Sequence, residues 1–284
     1  MKFLLFIFSL YSLLFCVEVS FSAKNVENGK TLLIEIKNID AAEYKAILSD
    51  KKEYKIFTHP LDNSKAYALL PISYYEKPHE KKIEILSQKG EKEPLFFNVE
   101  SGSYQKEILK VDNSKIVLNI NDKKRASKEQ EEATKIYNTI NDKLYIDSQF
   151  ILPIDSTVTS AFGKARVYND TLKSYHGGTD FRAEVGTKLF ACNDGVVVLA
   201  KDRFYAGGSV IIDHGQGIYS TYFHMSKIDV EEGSFVKKAE VIGLSGESGR
   251  VTGPHLHFGF RVAGEQVDPI HFIELMNTNL LRGI

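Results

Sequence analysis

His255 and His257 stand two apart in Gly253-Pro254-His255-Leu256-His257-Phe258-Gly259-Phe260-Arg261-Val262, which reads as a tight Gly/Pro turn feeding a β-strand. Side chains alternate along a strand, so His255, His257, Gly259 and Arg261 share one face while Leu256, Phe258, Phe260 and Val262 share the other. The apolar face has a core to bury in, and the opposite face delivers two imidazoles that can act on one centre, as two ligands or as a ligand and a proton carrier. In His176-Gly177-Gly178-Thr179-Asp180 an imidazole and a carboxylate lie four apart, and the glycine pair disfavours a helix. A loop is therefore expected to turn His176 and Asp180 toward one point. His224 closes an expected strand, Gly217 to Met225, on which it shares a face with Tyr222. Together His176, Asp180 and one member of the His255/His257 pair make a nitrogen and oxygen donor set that suits one Zn²⁺ with a fourth position open for water. His224 and the non-ligating histidine of the pair are the candidates for proton transfer.

Other chemistries find no support. His79-Glu80 lacks the second histidine of an HExxH helix, and there is no CxxC pair, GxSxG elbow or Walker loop. A formal net charge of −1 gives no basic field, so nucleic acid is not a predicted partner. Val230 to Gly243 has the outline of a carrier-domain hairpin, but Lys237 and Lys238 lack an attachment setting. His214 reads as a structural turn residue and His271 as an exposed or capping residue of a C-terminal helix. His59 and His79, beside Pro60 and Pro78, read as solvated loop residues.

The chain of 284 residues, 43% hydrophobic and 26% charged, is long enough for two domains. Met1-Lys2 and the apolar run Phe3 to Val17 predict a signal peptide over residues 1–22, with Ser20 and Ser22 at the small-residue positions before the cut. The alternative is an uncleaved anchor; after cleavage no stable membrane insertion is expected. Cys192 is then the one remaining cysteine, expected as a small buried hydrophobe. Residues 24–122 show short alternating strands between turns and predict a β-sandwich. Residues 123–147 predict an amphipathic helical connector, with Ser127 and Gln130 as a capping box and Ala133, Ile136, Tyr137, Ile140 and Leu144 as its apolar stripe. That stripe needs a surface to cover, so contact between the N-terminal part and the C-terminal domain is expected. Residues 148–276 predict a mainly antiparallel β-sheet domain with a short helix from about Pro269 to Met276. The fold class is mainly β.

The segments Phe162-Gly163, His176-x-Gly178-x-Asp180, Asp194-Gly195-Val196-Val197, Ile212-Asp213-His214-Gly215, Tyr222-Phe223-His224-Met225, Val241-Ile242-Gly243 and Gly253-Pro254-His255-Leu256-His257-Phe258 occur in that order. Over about residues 150–275 the chain resembles the lysostaphin/LytM-type zinc metallopeptidases that cut peptidoglycan. The resemblance implies His176, Asp180 and His257 as zinc ligands and His224 and His255 as catalytic histidines. Met225 and Val251 depart from the usual residues, at positions not expected to touch the metal. The implied substrate is the stem peptide of peptidoglycan, with the D-Ala to diaminopimelate cross-link first and carboxypeptidase trimming next, in the periplasm of a Gram-negative type cell. The alternative is a non-catalytic LytM-like protein that activates another wall hydrolase.

Overall fold

The computed structural model describes residues 18–37, 44–108, 119–168 and 171–283. Most of the expected leader, residues 1–17, lies outside the described residues. Its last part does not: Glu18–Phe21 forms an edge strand paired antiparallel with Thr31–Lys37, because Val19 and Phe21 pack on the core beneath. The cut expected after Ser22 thus falls beside a sheet strand.

The N-terminal part is a sandwich of two sheets. One contains Glu18–Phe21, Thr31–Lys37, Asp62–Pro71 and Phe57–His59; the other contains Asn25–Glu27, Lys92–Glu100, His79–Ser87, Tyr44–Ser49 and Lys52–Lys55. Leu32, Ile34, Ile36, Ala66, Ala68 and Leu70 face Ile47, Ile83, Ile85, Phe97 and Val99 across the core. The alternate residues Leu33, Tyr67 and Leu69 point the other way and share a buried cluster with Phe181, Leu256 and Phe258 of the C-terminal part. One sheet is thus covered on both faces, which explains why Ala66 to Leu70 is apolar throughout instead of alternating. His59 is buried at 6% exposure beside Glu35 and Tyr67, contrary to the loop reading, because it ends a strand of this covered sheet. His79 opens a strand and is exposed.

The helix spans Ile120–Tyr137, earlier than expected. Asn119 caps it, its Oδ1 accepting the Asp122 N–H at 2.9 Å, so Ser127 lies mid-helix and caps nothing. The last part of the expected sandwich, residues 109–118, lies outside the described residues, and Asn119 and Ile120 begin this helix. Of the Lys123-Lys124-Arg125 run, Arg125 bridges Glu129 and Asp202. Ala133 and Tyr137 bury against Leu199, Ile211 and Tyr219, whereas Ile140 and Leu144 follow the helix in an irregular segment.

The C-terminal part is an eight-stranded sheet. Its strands run in space Val158–Ser160, Thr179–Arg182, His255–Val262, Ile218–Met225, Gly207–Gly215, Gly195–Arg203 and Phe235–Val236, with Glu265–Val267 also on His255–Val262. Every pairing in it is antiparallel. Leu256, Phe258, Phe260 and Val262 are at most 1% exposed, and fill the core with Phe150, Tyr222 and Phe272. A helix Pro269–Leu275, capped by Asp268, closes the base of this core and runs into one wider turn, Met276–Leu280. Among the described residues no helix is long and apolar enough to cross a membrane.

Candidate metal centre

The core fixes the face on which the histidines stand. Burial of Leu256 and Phe258 turns His255 and His257 to the other face of the central strand, and Asp180 pairs directly with His257 in the neighbouring strand Thr179–Arg182. Asp180 is thus presented by a strand, not by the loop the glycine pair suggested; only His176 stands before it in a loop. Glycine at 178 is required by a close approach. A Cβ there would lie 2.5 Å from the Phe258 carbonyl oxygen and 2.6 Å from His257 Nε2.

Three donor atoms meet. His176 Nε2 is 3.0 Å from Asp180 Oδ1 and 3.1 Å from His257 Nδ1, which is 2.9 Å from the same carboxylate oxygen. Neighbouring ligands on a tetrahedral ion with bonds of about 2.0–2.1 Å lie roughly 3.3 Å apart, so this triangle has the dimensions of a metal site. The donor set of two imidazoles and a carboxylate suits a borderline cation such as zinc. His176 Nδ1–H donates to the Ala161 carbonyl at 2.9 Å, which leaves the Nε2 lone pair facing the triangle. Phe223 stacks parallel on the His257 ring, 5.5 Å between centroids, and limits its rotation. Burial opposes ionisation of Asp180, yet the adjoining His176 and His257 imidazoles outweigh it and hold the carboxyl well below the usual carboxylate range.

His255 and His224 stand beside the triangle. His255 Nδ1–H donates to Gly253 O at 2.8 Å, and its Nε2 comes within 3.7 Å of Asp180 Oδ1. His224 Nδ1–H donates to Ser248 O at 3.0 Å, and its ring lies 4.8 Å from that of His255, centroid to centroid. Carbonyls only accept, so both rings hold their proton on Nδ1 and keep Nε2 as a base. Burial first, then the neighbouring histidines, pushes His224 down to about 4.

Alternation fails at His224. Tyr222 is buried in the core, whereas His224 reaches the metal-bearing face. The register shifts between Gly208/Met225 and Val210/Tyr222, so Phe223 and His224 together oppose Ser209 alone. This bulge sets His224 at φ 65°, a left-handed conformation uncommon outside glycine, and redirects its ring. Five of the six C-terminal histidines are thereby accounted for as a site or, for His214, as core. His214 is fully buried at the end of a strand, bonded to Asp194 O at 2.7 Å and Ser220 Oγ at 2.8 Å. His271 sits in the first turn of the C-terminal helix, half-buried, away from the metal triangle.

The cleft over the triangle has a volume of about 350 Å³, with Tyr175, Arg250, Val251 and Thr252 at its rim. Val251 thus lines the cleft, while Met225 is buried in the core. The Ala161, Ser248 and Gly253 carbonyls orient three imidazoles, and no residue type betrays a carbonyl in a sequence. Stacking of Phe223 was also missed, although it is adjacent to His224.

Residues 174–269 match peptidase family M23. Over 119 residues the chain is 43% identical to peptidoglycan DD-endopeptidase ShyA of Vibrio cholerae, covering 41% of this chain and 28% of ShyA. It is 40% identical over 95 residues to DD-carboxypeptidase/endopeptidase Mpg of Neisseria meningitidis, covering 34% of this chain and 22% of Mpg. The chain thus spans under a third of the length of these curated relatives. A Pseudomonas aeruginosa protein assigned to peptidase M23 has a crystal structure that superposes over 87% of this chain and 94% of its own, with a TM-score of 0.67 and 28% identity. The His176, Asp180 and His257 triangle lies inside the matched region, so residues 174–269 carry a peptidase family M23 domain.

Proposed function

We propose that the protein is a zinc-dependent endopeptidase that hydrolyses peptide cross-links of peptidoglycan, the D-Ala to diaminopimelate bond first, outside the cytoplasm of a Gram-negative type cell. The observation that carries this reading is the triangle of His176 Nε2, Asp180 Oδ1 and His257 Nδ1, with two further imidazoles whose Nε2 atoms are free. The likeness to relatives named as DD-endopeptidases supports the substrate class.

His176, Asp180 and His257 hold the ion. When bound, zinc supplies Lewis acidity, which lowers the pKa of water and polarises a peptide carbonyl. The residues around it do the rest. The Ala161 carbonyl keeps His176 in the tautomer that leaves Nε2 free, and the ionised Asp180 balances part of the cation's charge. His255 and His224 face the open side of the cleft with Nε2 unprotonated, ready to accept a proton from the attacking water and return it to the leaving amine. Burial keeps His224 neutral near pH 7, the form such a base needs.

Zinc content of the purified wild type, His176→Ala and His257→Ala tests the ligand set. One ion per wild-type chain and none in either variant is expected; full occupancy in a variant removes that residue from the set.

A further inference from the structure

The helix Ile120–Tyr137 and the metal-bearing face of the sheet enclose a second cavity of about 200 Å³. Gly177 lines both this cavity and the metal cleft, so the two adjoin. Along the central strand, His257, Gly259 and Arg261 follow one another on the same face, and Arg261 lies about 13 Å beyond His257 at 3.3 Å per residue. Gly259 keeps this face low between them. A Cβ there would meet Thr221 Oγ1 at 2.8 Å.

Two guanidiniums border the cavity, Arg203 and Arg261, and among the described residues neither has a carboxylate partner. Arg203 gives one Nη2 bond to the Glu129 carbonyl at 3.1 Å, and its Nε is buried without a hydrogen-bond partner. Arg261 gives one Nη1 bond to Gly264 O at 3.0 Å and lies over the Tyr137 ring at 4.6 Å. The one acid among the residues lining the cavity, Glu129, is spent elsewhere: its carboxylate accepts from Arg125 Nε at 2.7 Å and from Phe204 N at 2.8 Å. Two guanidinium groups with donors to spare, one of them with a buried, unpartnered Nε, therefore face a cavity that adjoins the metal cleft. A buried unpaired donor is costly, and a guanidinium fork matches a carboxylate in shape and charge.

We infer that this cavity is a subsite for a carboxylate of the substrate, held by Arg203 and Arg261. The inference rests on the peptidase reading and adds the recognition of a free acid to it. Stem peptides carry such acids on the diamino acid and at the C-terminus. At 3.3–3.6 Å per extended residue, 13 Å places the acid roughly four backbone steps from the scissile bond, or fewer where a long side chain carries it.

The test is calorimetric titration of the full chain with two stem peptides, N-methylated at the scissile amide so that neither is cleaved. They differ in one group, a free carboxylate in one and its amide in the other. Wild type should bind the acid roughly ten- to a hundredfold more tightly, and Arg203→Gln and Arg261→Gln should bind both peptides alike. Arg203→Lys, which keeps the charge but not the fork, should recover part of the preference. Arg261 also stacks on Tyr137, so melting curves accompany each variant, and Arg203→Gln decides the matter if Arg261→Gln does not fold. Equal affinity of wild type for both peptides, including no measurable binding of either, overturns the inference, as does a preference that survives Arg203→Gln. Turnover of the unmethylated peptides reports separately on the peptidase reading: intact acid preference without cleavage would sink that reading and keep the subsite.

Discussion

Alanine at position 178 puts one methyl group between the sheet and a ligand. Its carbon would start 2.5 Å from the Phe258 carbonyl oxygen and 2.6 Å from His257 Nε2, where ordinary contact begins at 3.4 Å. The carbonyl oxygen must therefore retreat by about 0.9 Å and the imidazole by about 0.8 Å. The carbonyl belongs to the central strand, where Phe258 pairs with both Thr179 and Tyr222, so the imidazole is the softer partner. The ring cannot move without leaving its stack on Phe223 and widening the 2.9–3.1 Å donor triangle. Overpacking of this kind costs about 1–3 kcal/mol, and disturbing the support of a metal ligand typically lowers metal affinity 10- to 100-fold. Gly177→Ala is the internal control. The three atoms nearest its added carbon all belong to the end of the Gln266 side chain, the first at 2.2 Å, and can swing away. Zinc affinity from competition with a chelator, measured on wild type and both variants, checks the reasoning. Gly178→Ala should lose zinc affinity and melt several degrees lower, with Gly177→Ala near wild type; equal zinc affinities in all three would refute the geometric account.

His255→Ala and His224→Ala should each keep one zinc yet cleave at least about 10²-fold more slowly, since they remove a proton-transfer group and no ligand; metal loss from His255→Ala with metal kept in His257→Ala would reverse the assignment. Burial pushes His214 down to about 4, so the unfolded chain, with its histidine near 6.5, binds the extra proton between those values. The stability His214 contributes as a neutral ring is then present above about pH 6.5 and lost as pH falls to about 4, on the order of 3 kcal/mol. Denaturant titrations at pH 7 and pH 4 should show a smaller drop for His214→Asn than for wild type, and parallel drops would contradict this. Cys192 is fully buried and burial pushes its thiol up to about 11, so a thiol reagent should label Cys192 only after unfolding; rapid labelling at Cys192 in the folded protein, located by peptide mapping, would contradict the packing.

The strand His255–Val262 was legible because one face of it is so apolar. Leu256, Phe258, Phe260 and Val262 had to be buried, and that alone put His255 and His257 outside on a common face. The order of the glycines marked most strand ends of the C-terminal sheet for the same reason, since tight antiparallel turns need them. Strict alternation misled at Tyr222 and His224, where the bulge opposite Ser209 adds one residue and turns the second ring over. Such a bulge depends on the partner strand, which a local pattern does not contain. The helix was misplaced because Ser127 with Gln130 mimics a cap, while the operative cap is Asn119, ahead of a polar first turn without apolar periodicity. His59 was misjudged for a tertiary reason: its sheet is covered on the second face by Phe181 and its neighbours, and a turn-like His-Pro pair carries no trace of that. The orienting carbonyls of Ala161, Ser248 and Gly253 were invisible because any residue supplies one.

Purified peptidoglycan sacculi, incubated with the zinc-loaded full chain and resolved by mass spectrometry, test the central claim most directly. The account predicts that cross-linked dimers disappear and uncross-linked stem peptides accumulate, with the new amino terminus on the diamino acid, and that His257→Ala protein releases none. Intact cross-links beside a fully zinc-loaded protein would contradict it and identify the domain as a wall-binding or activating module instead.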